Sequence, residues 1–232
     1  MSYFQSIFSV DNNYVTNNMV ARLIPNLVTT TENDVLCSVP LSSEIKAIVF
    51  DLNGDGAPGP DGFGDHFYQT FCDIVENVVV NYVQDFFFIT GVLARNVNSN
   101  LIVLVPKVPG AKAMGDFRPI ALANFQFKII TKIIADILAS IAMHIVSTEQ
   151  RGFIKEHNIS DCVILASEAI NCMDRWQFGG NIALNVDISK AFDTLDWKFF
   201  NCSSYAIWFF YNFLRMESDY SSVWQAIYFG EC

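Results

Sequence analysis

Apolar residues recur every three or four positions in two stretches of the chain, at 65 to about 89 and at 129–145. This is the spacing of an amphipathic helix, and Asn124 precedes the second stretch as a candidate N-cap. A short capped helix is predicted at 43–49, and a further helix at about 160–174.

Two other stretches predict strands. Five consecutive apolar residues, Leu101–Val105, end at a proline and predict a buried strand, with 118–123 as its partner. Apolar and polar residues alternate from Asn181 to Asp187, which predicts a strand with one apolar face and Asp187 at its end on the other face. The order of elements predicts an α+β fold whose sheet is covered by helices on one side.

The remaining segments predict irregular structure. Residues 1–41 hold short apolar clusters between prolines, and Gly and Pro fill residues 53–64, which predicts a loop. Residues 51–56 resemble the start of a calcium loop, but the twelfth position is Gly62, where that loop needs a bidentate Glu. We therefore favour a plain Gly/Pro turn.

The composition is that of a folded chain with uneven charge. Of the 232 residues, 52% are apolar and 16% charged, which suits one domain or a piece of a larger one and excludes a disordered tail. The formal net charge is −10, yet residues 95–155 carry 8 basic and 3 acidic residues, a net of +5. The negative net charge of the whole chain argues against a protein that coats nucleic acid non-specifically. The basic middle permits a local phosphate site or, equally, a solvated mixed surface.

Cysteine spacing and the termini predict the compartment. The six cysteines are scattered and form no CxxC pair, which predicts buried free thiols in a reducing environment. No secretory signal is visible, and the longest uncharged stretch, 199–214, is too short and too polar to span a membrane. We therefore expect an intracellular protein, in the nucleus or cytoplasm, without a membrane segment.

The segment that follows the last predicted strand carries candidate metal chemistry. Asp187 stands at the strand end, an aromatic residue, Phe192, follows five positions later, and Asp193 and Asp196 come next. Carboxylates at a strand end can hold Mg²⁺, a hard cation that prefers oxygen ligands and partners phosphates. Acidic residues also cap helices, so a structural role for these side chains stays open.

Six stretches of the chain together resemble the reverse transcriptase of plant LINE-type (non-LTR) retrotransposons. The six occur in the order of that family: Ala57–Phe63, Leu101–Lys107, Asp116–Leu122, Lys128–Lys132, Gln150–Ile154 and Asp187–Trp197. Residues 1–56 also resemble the leader of these elements, so the similarity covers roughly residues 1–200. The resemblance implies the fingers and the beginning of the palm of a right-hand polymerase, incomplete in this chain. It divides the chain into a leader (1–56), a partial reverse transcriptase domain (57–200) and a divergent aromatic tail (201–232).

The resemblance also implies a reaction and its site. Such polymerases are nucleotidyltransferases that use an RNA template, a DNA primer and deoxynucleoside triphosphates, with two Mg²⁺ ions at the reacting oxygens. By similarity, Asp187 is the catalytic metal-binding carboxylate, and the backbone carbonyl of Ile188 is a second ligand. Phe192 occupies the position under the sugar, where its bulk excludes a 2′-hydroxyl.

Four cations complete the implied site. Lys107 and Arg118 occupy positions that bind the triphosphate, as a point charge and as a bidentate donor, with loop solubilisation as the alternative. Lys128 and Lys132 contact template or primer phosphates or, equally, form an exposed helix face.

One departure from the family pattern concerns the chemistry. The second catalytic segment of the family contains an Asp-Asp pair, and no such dipeptide occurs in this chain. Asp187 alone cannot hold two ions, so we expect an inactive fragment. A non-catalytic module that binds RNA or an RNA–DNA hybrid, and a decayed reading frame without function, are the alternatives. The sequence predicts no oligomeric state.

Overall fold

A computed structural model describes residues 25–90, 99–147, 149–152 and 157–173, with short pieces at 3, 22–23, 93, 97, 154, 175, 180–184, 186, 199 and 203. The described ranges contain six α-helices: α1 (Thr30–Leu36), α2 (Ser42–Asp51), α3 (Asp65–Thr70), α4 (Cys72–Asp85), α5 (Phe125–Ile145) and α6 (Ile159–Met173). They also contain two strands, β1 (Asn100–Pro106) and β2 (Phe117–Ala123), which form one antiparallel sheet. The predicted α+β class is confirmed.

Helix α5 organises the core. Its apolar face is buried against α1, α2 and α4, and it contributes Phe125, Phe127, Ile129, Ile130, Ile133, Ile134 and Ile141. The periodic spacing of these residues places them on one side of the helix, as the sequence predicted. Helix α5 is therefore the element against which α1, α2 and α4 are ordered.

Helix α1 lies where the sequence predicted irregular structure, and that prediction is wrong for Thr30–Leu36. Thr29 precedes the helix, and its backbone N–H donates to Glu32 Oε2 at 2.7 Å. The Glu32 N–H donates in return to Thr29 Oγ1 at 3.3 Å. This reciprocal capping box satisfies two amides that the first helical turn leaves without partners, and it starts the helix despite the nearby prolines.

The predicted helix at 65–89 is observed as two helices and a wider turn. Helix α3 ends at Thr70, and Phe71, with φ −101° and ψ 23°, departs from helical geometry before α4 begins. A π-helical turn, Phe86–Thr90, follows α4. Tyr68 of α3 stacks on Phe125 of α5, with ring centroids 3.7 Å apart and planes 5° apart. This contact joins the segment to the core.

The β1–β2 hairpin confirms the predicted strand pairing but not its burial. Val103 lies opposite Ile120, and the register continues from Asn100↔Ala123 to Pro106↔Phe117. Leu101 is 53% exposed and Ile102 37% exposed, so the prediction of a buried strand is wrong. A run of apolar residues does not determine what covers it, and among the described residues no layer of helices buries this small sheet. The predicted helical cover is likewise not observed.

Helix α6 confirms its prediction, yet none of its residues is buried. The strand predicted at 181–187 is not present at the described positions 181–184 and 186, where Ile182, Leu184 and Val186 are 83% to 87% exposed. A strand requires a hydrogen-bonded neighbour, and no described strand lies beside these residues. Residue 187 lies outside the described residues.

Two further sequence predictions concern cysteines and membranes. Cys72 is buried, as expected, whereas Cys162 and Cys172 on α6 are exposed because that helix is not covered. Among the described helices, none combines the length and the apolar character that a membrane crossing requires.

Candidate functional site

The hairpin brings Lys107 and Arg118 to the same side of the sheet. Arg118 lies directly opposite Val105, and Lys107 follows Val105 by two positions. The Lys107 N–H donates to the Asp116 carbonyl at 2.7 Å, so the hydrogen bonds between the two strands continue one residue beyond Pro106. Residues two apart along a strand share a face, which makes Lys107 and Arg118 diagonal neighbours about 7–8 Å apart at the backbone. Both residues are exposed.

The connection between the strands is shaped by the carboxylate of Asp116. Its Oδ2 accepts from the backbone N–H groups of Lys112, at 3.2 Å, and Ala113, at 3.0 Å. Gly110 adopts a φ of +77°, a conformation that glycine takes without strain. Lys107 Nζ donates to the Gly115 carbonyl at 2.9 Å, which leaves two ammonium donors that can bind a ligand. Sequence reasoning did not assign Asp116 this role.

The side chain of Lys128 is partly buried and paired within the protein. Its Nζ lies 3.0 Å from Asp65 Oδ1 and 3.3 Å from Asp65 Oδ2, and it donates to the Ala57 carbonyl at 3.1 Å. The Lys128 side chain is 22% exposed and that of Asp65 5%. The predicted phosphate contact of Lys128 thus competes with a nearly buried ion pair, which the sequence did not indicate because the partners are 63 positions apart.

Lys132 lies one turn further along α5 and is more accessible. It pairs with Asp136 at 2.9 Å and with Asp51 at 3.6 Å. The hydrogen bond and charge of Asp136 raise the pKa of Lys132 above its ordinary value, with a smaller contribution from Asp51. Both predicted helix lysines therefore lie on the side of α5 away from its apolar face, each beside carboxylates.

The Gly/Pro loop at 53–64 packs on the junction of β2 and α5. A Cβ at Gly59 would lie 2.6 Å from the carbonyl carbon and oxygen of Ala123. Glycine has no Cβ, so it is the residue that fits here without a clash. Asn124 occupies the predicted N-cap position of α5 but makes no capping bond with its side chain. Its Oδ1 instead accepts from the Asp61 N–H at 3.1 Å, and its Nδ2 donates to the Val97 carbonyl at 3.4 Å.

The charge differs sharply between the helical part at residues 25–90 and the hairpin. Residues 25–90 contain ten acidic residues and one basic residue, Lys46, which pairs with Glu76 at 2.8 Å. The hairpin and its connection, 100–123, contain three basic residues and one acidic residue, and Asp116 directs its carboxylate to backbone amides. Anionic ligands are therefore attracted to the hairpin side.

The predicted catalytic residues, Asp187, Ile188 and Phe192, lie outside the described residues. Within the described part, no group of three or more His, Cys, Asp or Glu side chains is arranged to hold a metal ion. Carboxylate and carbonyl oxygens are the donors that Mg²⁺ prefers, so Asp187 and Ile188 fit the ion in kind. One carboxylate is too few to hold two ions.

Comparison with known proteins gives two matches. Residues 105–226, just over half of the chain, match the family model described as reverse transcriptase (RNA-dependent DNA polymerase). The matched range contains Lys107, Arg118 and residue 187, and it continues past residue 200, where the sequence predicted that the resemblance ends. Over 144 residues the chain is 26% identical to the "Transposon TX1 uncharacterized 149 kDa protein" of Xenopus laevis, an alignment that covers 62% of this chain and 11% of that protein.

Proposed function

Because the chain belongs to the reverse transcriptase (RNA-dependent DNA polymerase) family, we propose that its β1–β2 hairpin binds the triphosphate of an incoming deoxynucleotide. The transposon relative supports a retrotransposon as the source, and the motif order supports the finer proposal of a plant LINE-type element. The chain spans about a ninth of the length of that curated relative. Its template, primer and nucleotide substrates are accordingly part of our proposal.

The arrangement of Lys107 and Arg118 carries this proposal. Both cations are exposed on one face of a hydrogen-bonded hairpin, within reach of a single polyphosphate. An ammonium acts as a compact point charge, and a guanidinium can bind two phosphate oxygens at once. The role of these two residues is to bind and orient the triphosphate, so that its α-phosphate faces the primer 3′-hydroxyl.

The other predicted residues take supporting roles in the proposal. Asp187 and the carbonyl of Ile188 would hold Mg²⁺, which neutralises charge on the triphosphate when bound. Phe192 would exclude the 2′-hydroxyl of a ribonucleotide. Lys132 is the more accessible candidate for a template or primer phosphate, whereas Lys128 would first have to leave its pair with Asp65.

The proposal extends to the rest of the chain. The sequence bounds the polymerase part at 57–200, with 1–56 as its leader and 201–232 as a divergent tail. Because the family model matches through residue 226, we propose that the polymerase part extends into that tail. Helices α1 and α2 of that leader share one core with α5. We propose that the 232-residue chain does not polymerise by itself because it lacks the Asp-Asp pair. A location in the nucleus or cytoplasm stays a prediction.

Calorimetric titration of the 232-residue chain with dTTP, in the presence of Mg²⁺ and at low salt, tests this function. Loss of a charge-assisted hydrogen bond costs about 1.5–3 kcal/mol, so Lys107→Ala and Arg118→Ala should each weaken dTTP binding about 10-fold or more. Lys46→Met removes one positive charge that is paired with Glu76 in the helical part, and it should leave the affinity within about two-fold.

The outcomes separate the alternatives. Equal affinities in all four proteins, or no dTTP binding by the wild type, would overturn the nucleotide proposal. If the wild type then binds an RNA–DNA hybrid with an affinity that falls steeply with salt, the chain is a non-catalytic binding module. If it binds neither ligand, the decayed reading frame is the surviving interpretation. Primer extension on an RNA template by this chain alone would refute the proposed inactivity.

A further inference from the structure

The base of the hairpin is fixed by side chains from distant parts of the sequence. β2 ends at Ala123, and the next two residues begin α5, so the orientation of the hairpin is set where the chain passes from strand to helix. Among the described apolar residues, Ala121 and Ala123 of the hairpin pack against the core at this end. Contacts at this junction therefore contribute to the placement of the far end, with Lys107 and Arg118.

Asn124 is the first of these contacts. It is only 6% exposed, and it joins the loop at Asp61 to the segment before β1 at Val97. One amide side chain thus connects the Gly/Pro loop, the entry to the hairpin and the start of α5. A good N-cap residue that does not cap its own helix indicates that these longer-range bonds are the ones the fold uses.

The ion pair of Lys128 and Asp65 is the second contact. Asp65 begins α3, and Lys128 lies in the first turn of α5. The bond from Lys128 Nζ to the Ala57 carbonyl adds the start of the Gly/Pro loop to the pair. All three ammonium donors are then used within the protein, in a site where Asp65 is nearly buried.

Gly59 permits both contacts to form together. Its backbone lies directly against the Ala123 carbonyl, closer than any residue with a Cβ could lie. The loop is consequently pressed onto the last residue of β2 between the Asn124 bonds and the Lys128 pair. We call Gly59, Asp65, Asn124 and Lys128 the hairpin anchor.

We infer that Asn124 and Lys128 are positioning residues, which fix the β1–β2 hairpin on the helical core and thereby orient Lys107 and Arg118. The effect on nucleotide binding rests on the proposed function, whereas the effect on hairpin orientation does not. On this inference Lys128 acts through Asp65 and Ala57, and its contribution is geometric. Small displacements of binding groups are costly because the groups must meet the ligand together.

A distance measurement tests the orientation directly. Spin labels are introduced as genetically encoded amino acids at Lys112, in the hairpin connection, and at Asn77, on the exposed side of α4. Double electron–electron resonance on the full chain should give one narrow distance distribution. Asn124→Ala and Lys128→Met should each broaden it about two-fold or more. Lys46→Met, which removes the pair between α2 and α4, should leave it unchanged.

Rescue separates positioning from loss of folding. Lys128→Arg keeps the charge facing Asp65 and should restore most of the narrow distribution. Each sample is frozen from a temperature at which that variant is folded by circular dichroism. If Lys128→Met does not fold, Asn124→Ala provides the same test through a neutral side chain. An unchanged distribution in the folded anchor variants would overturn the inference.

A second experiment measures the binding of dTTP by the same proteins without spin labels. We expect dTTP affinity to fall about 10-fold in Asn124→Ala and Lys128→Met, although Lys107 and Arg118 are intact. If the wild type does not bind dTTP, the proposed function fails while the distances still decide the orientation. If the distances broaden but the affinity stays equal to the wild type, the hairpin anchor does not orient the binding residues, and the inference fails.

Discussion

Helices α5 and α6 have the same kind of sequence and opposite surroundings. Both are rich in apolar residues at helical spacing, and both form the helix that the sequence predicts. Helix α5 buries seven residues, whereas α6 buries none and leaves Val163 and Leu165 more than 60% exposed. The spacing of apolar residues therefore specifies the helix. The elements packed around the helix decide whether those apolar side chains are buried and contribute to stability.

The comparison has an energetic side. Isolated helices shorter than about 12–15 residues are marginal in water, and α6, with 15 residues, lies at that limit. Burial of a large aliphatic side chain contributes about 1.5–3 kcal/mol, and α5 gains this at several positions. Unfolding of the described part should consequently depend on α5 and its neighbours, with α6 contributing weakly.

The largest expected effect comes from truncating one large apolar side chain in each helix. Ile130→Ala in α5 removes a fully buried side chain and should lower the free energy of unfolding by about 3 kcal/mol. Leu165→Ala in α6 should change it by less than about 0.5 kcal/mol. Urea denaturation followed by circular dichroism measures both. A comparable loss of unfolding free energy from Leu165→Ala would show that α6 is packed in solution. It would contradict the difference between α5 and α6.

A second pair of variants compares the loops. Gly59→Ala forces a Cβ onto the backbone of Ala123 and should cost about 1–3 kcal/mol, as overpacking does. Gly152→Ala, near the start of α6, meets its closest neighbour at 3.6 Å, an ordinary contact, and should stay within about 0.5 kcal/mol of the wild type. The same denaturation experiment is used. Equal costs would contradict the close approach of the Gly/Pro loop to β2.

The smallest expected effect is a dependence on alkaline pH. Burial raises the pKa of Tyr68, with a further contribution from the charge of Asp61. The folded state therefore holds the phenolic proton more tightly than the unfolded state does. This contribution to stability is complete below the unfolded pKa of about 10 and is lost as pH rises through the higher folded pKa.

Tyr68→Phe should abolish that part of the pH dependence. The informative quantity is the difference in unfolding free energy between wild type and variant, measured at pH 8 and again above pH 10. This difference should shrink at the higher pH, because the wild type alone loses the contribution of its phenol. A constant difference would show that Tyr68 is exposed to solvent and that α3 does not pack on α5.

The sequence predicted elements whose information is local. The spacing of Ile129, Ile130 and Ile133 was enough to predict α5, and the loop at 53–64 followed from its Gly and Pro content. Helix α1 carries opposing local signals: Thr29 and Glu32 form a standard capping signature, whereas Pro25 and Pro40 on either side predict irregular structure. Pairing of the strands at 101–105 and 118–123 was predicted from their composition.

Burial and long-range partners were not predictable in this way. The apolar run at 101–105 predicts a buried strand, but the sequence of a single strand does not indicate how many layers cover it. Nothing near Lys128 in the sequence points to Asp65, so the sequence alone predicts either a phosphate contact or an exposed helix face for this lysine. For Lys107 and Arg118 the family resemblance supplied the expectation, and the register of the hairpin supplies their common face.

The unequal charge of the two regions has a consequence for encounter rates. The helical surface at 25–90 presents a negative field to any approaching polyanion, while the hairpin presents a small positive one. A nucleotide or nucleic acid is repelled from most orientations and attracted in one, so productive collisions are selected before contact is made. Added salt should slow association far more than it speeds dissociation, because screening removes this orienting field beyond about 10 Å at 0.1 M ionic strength.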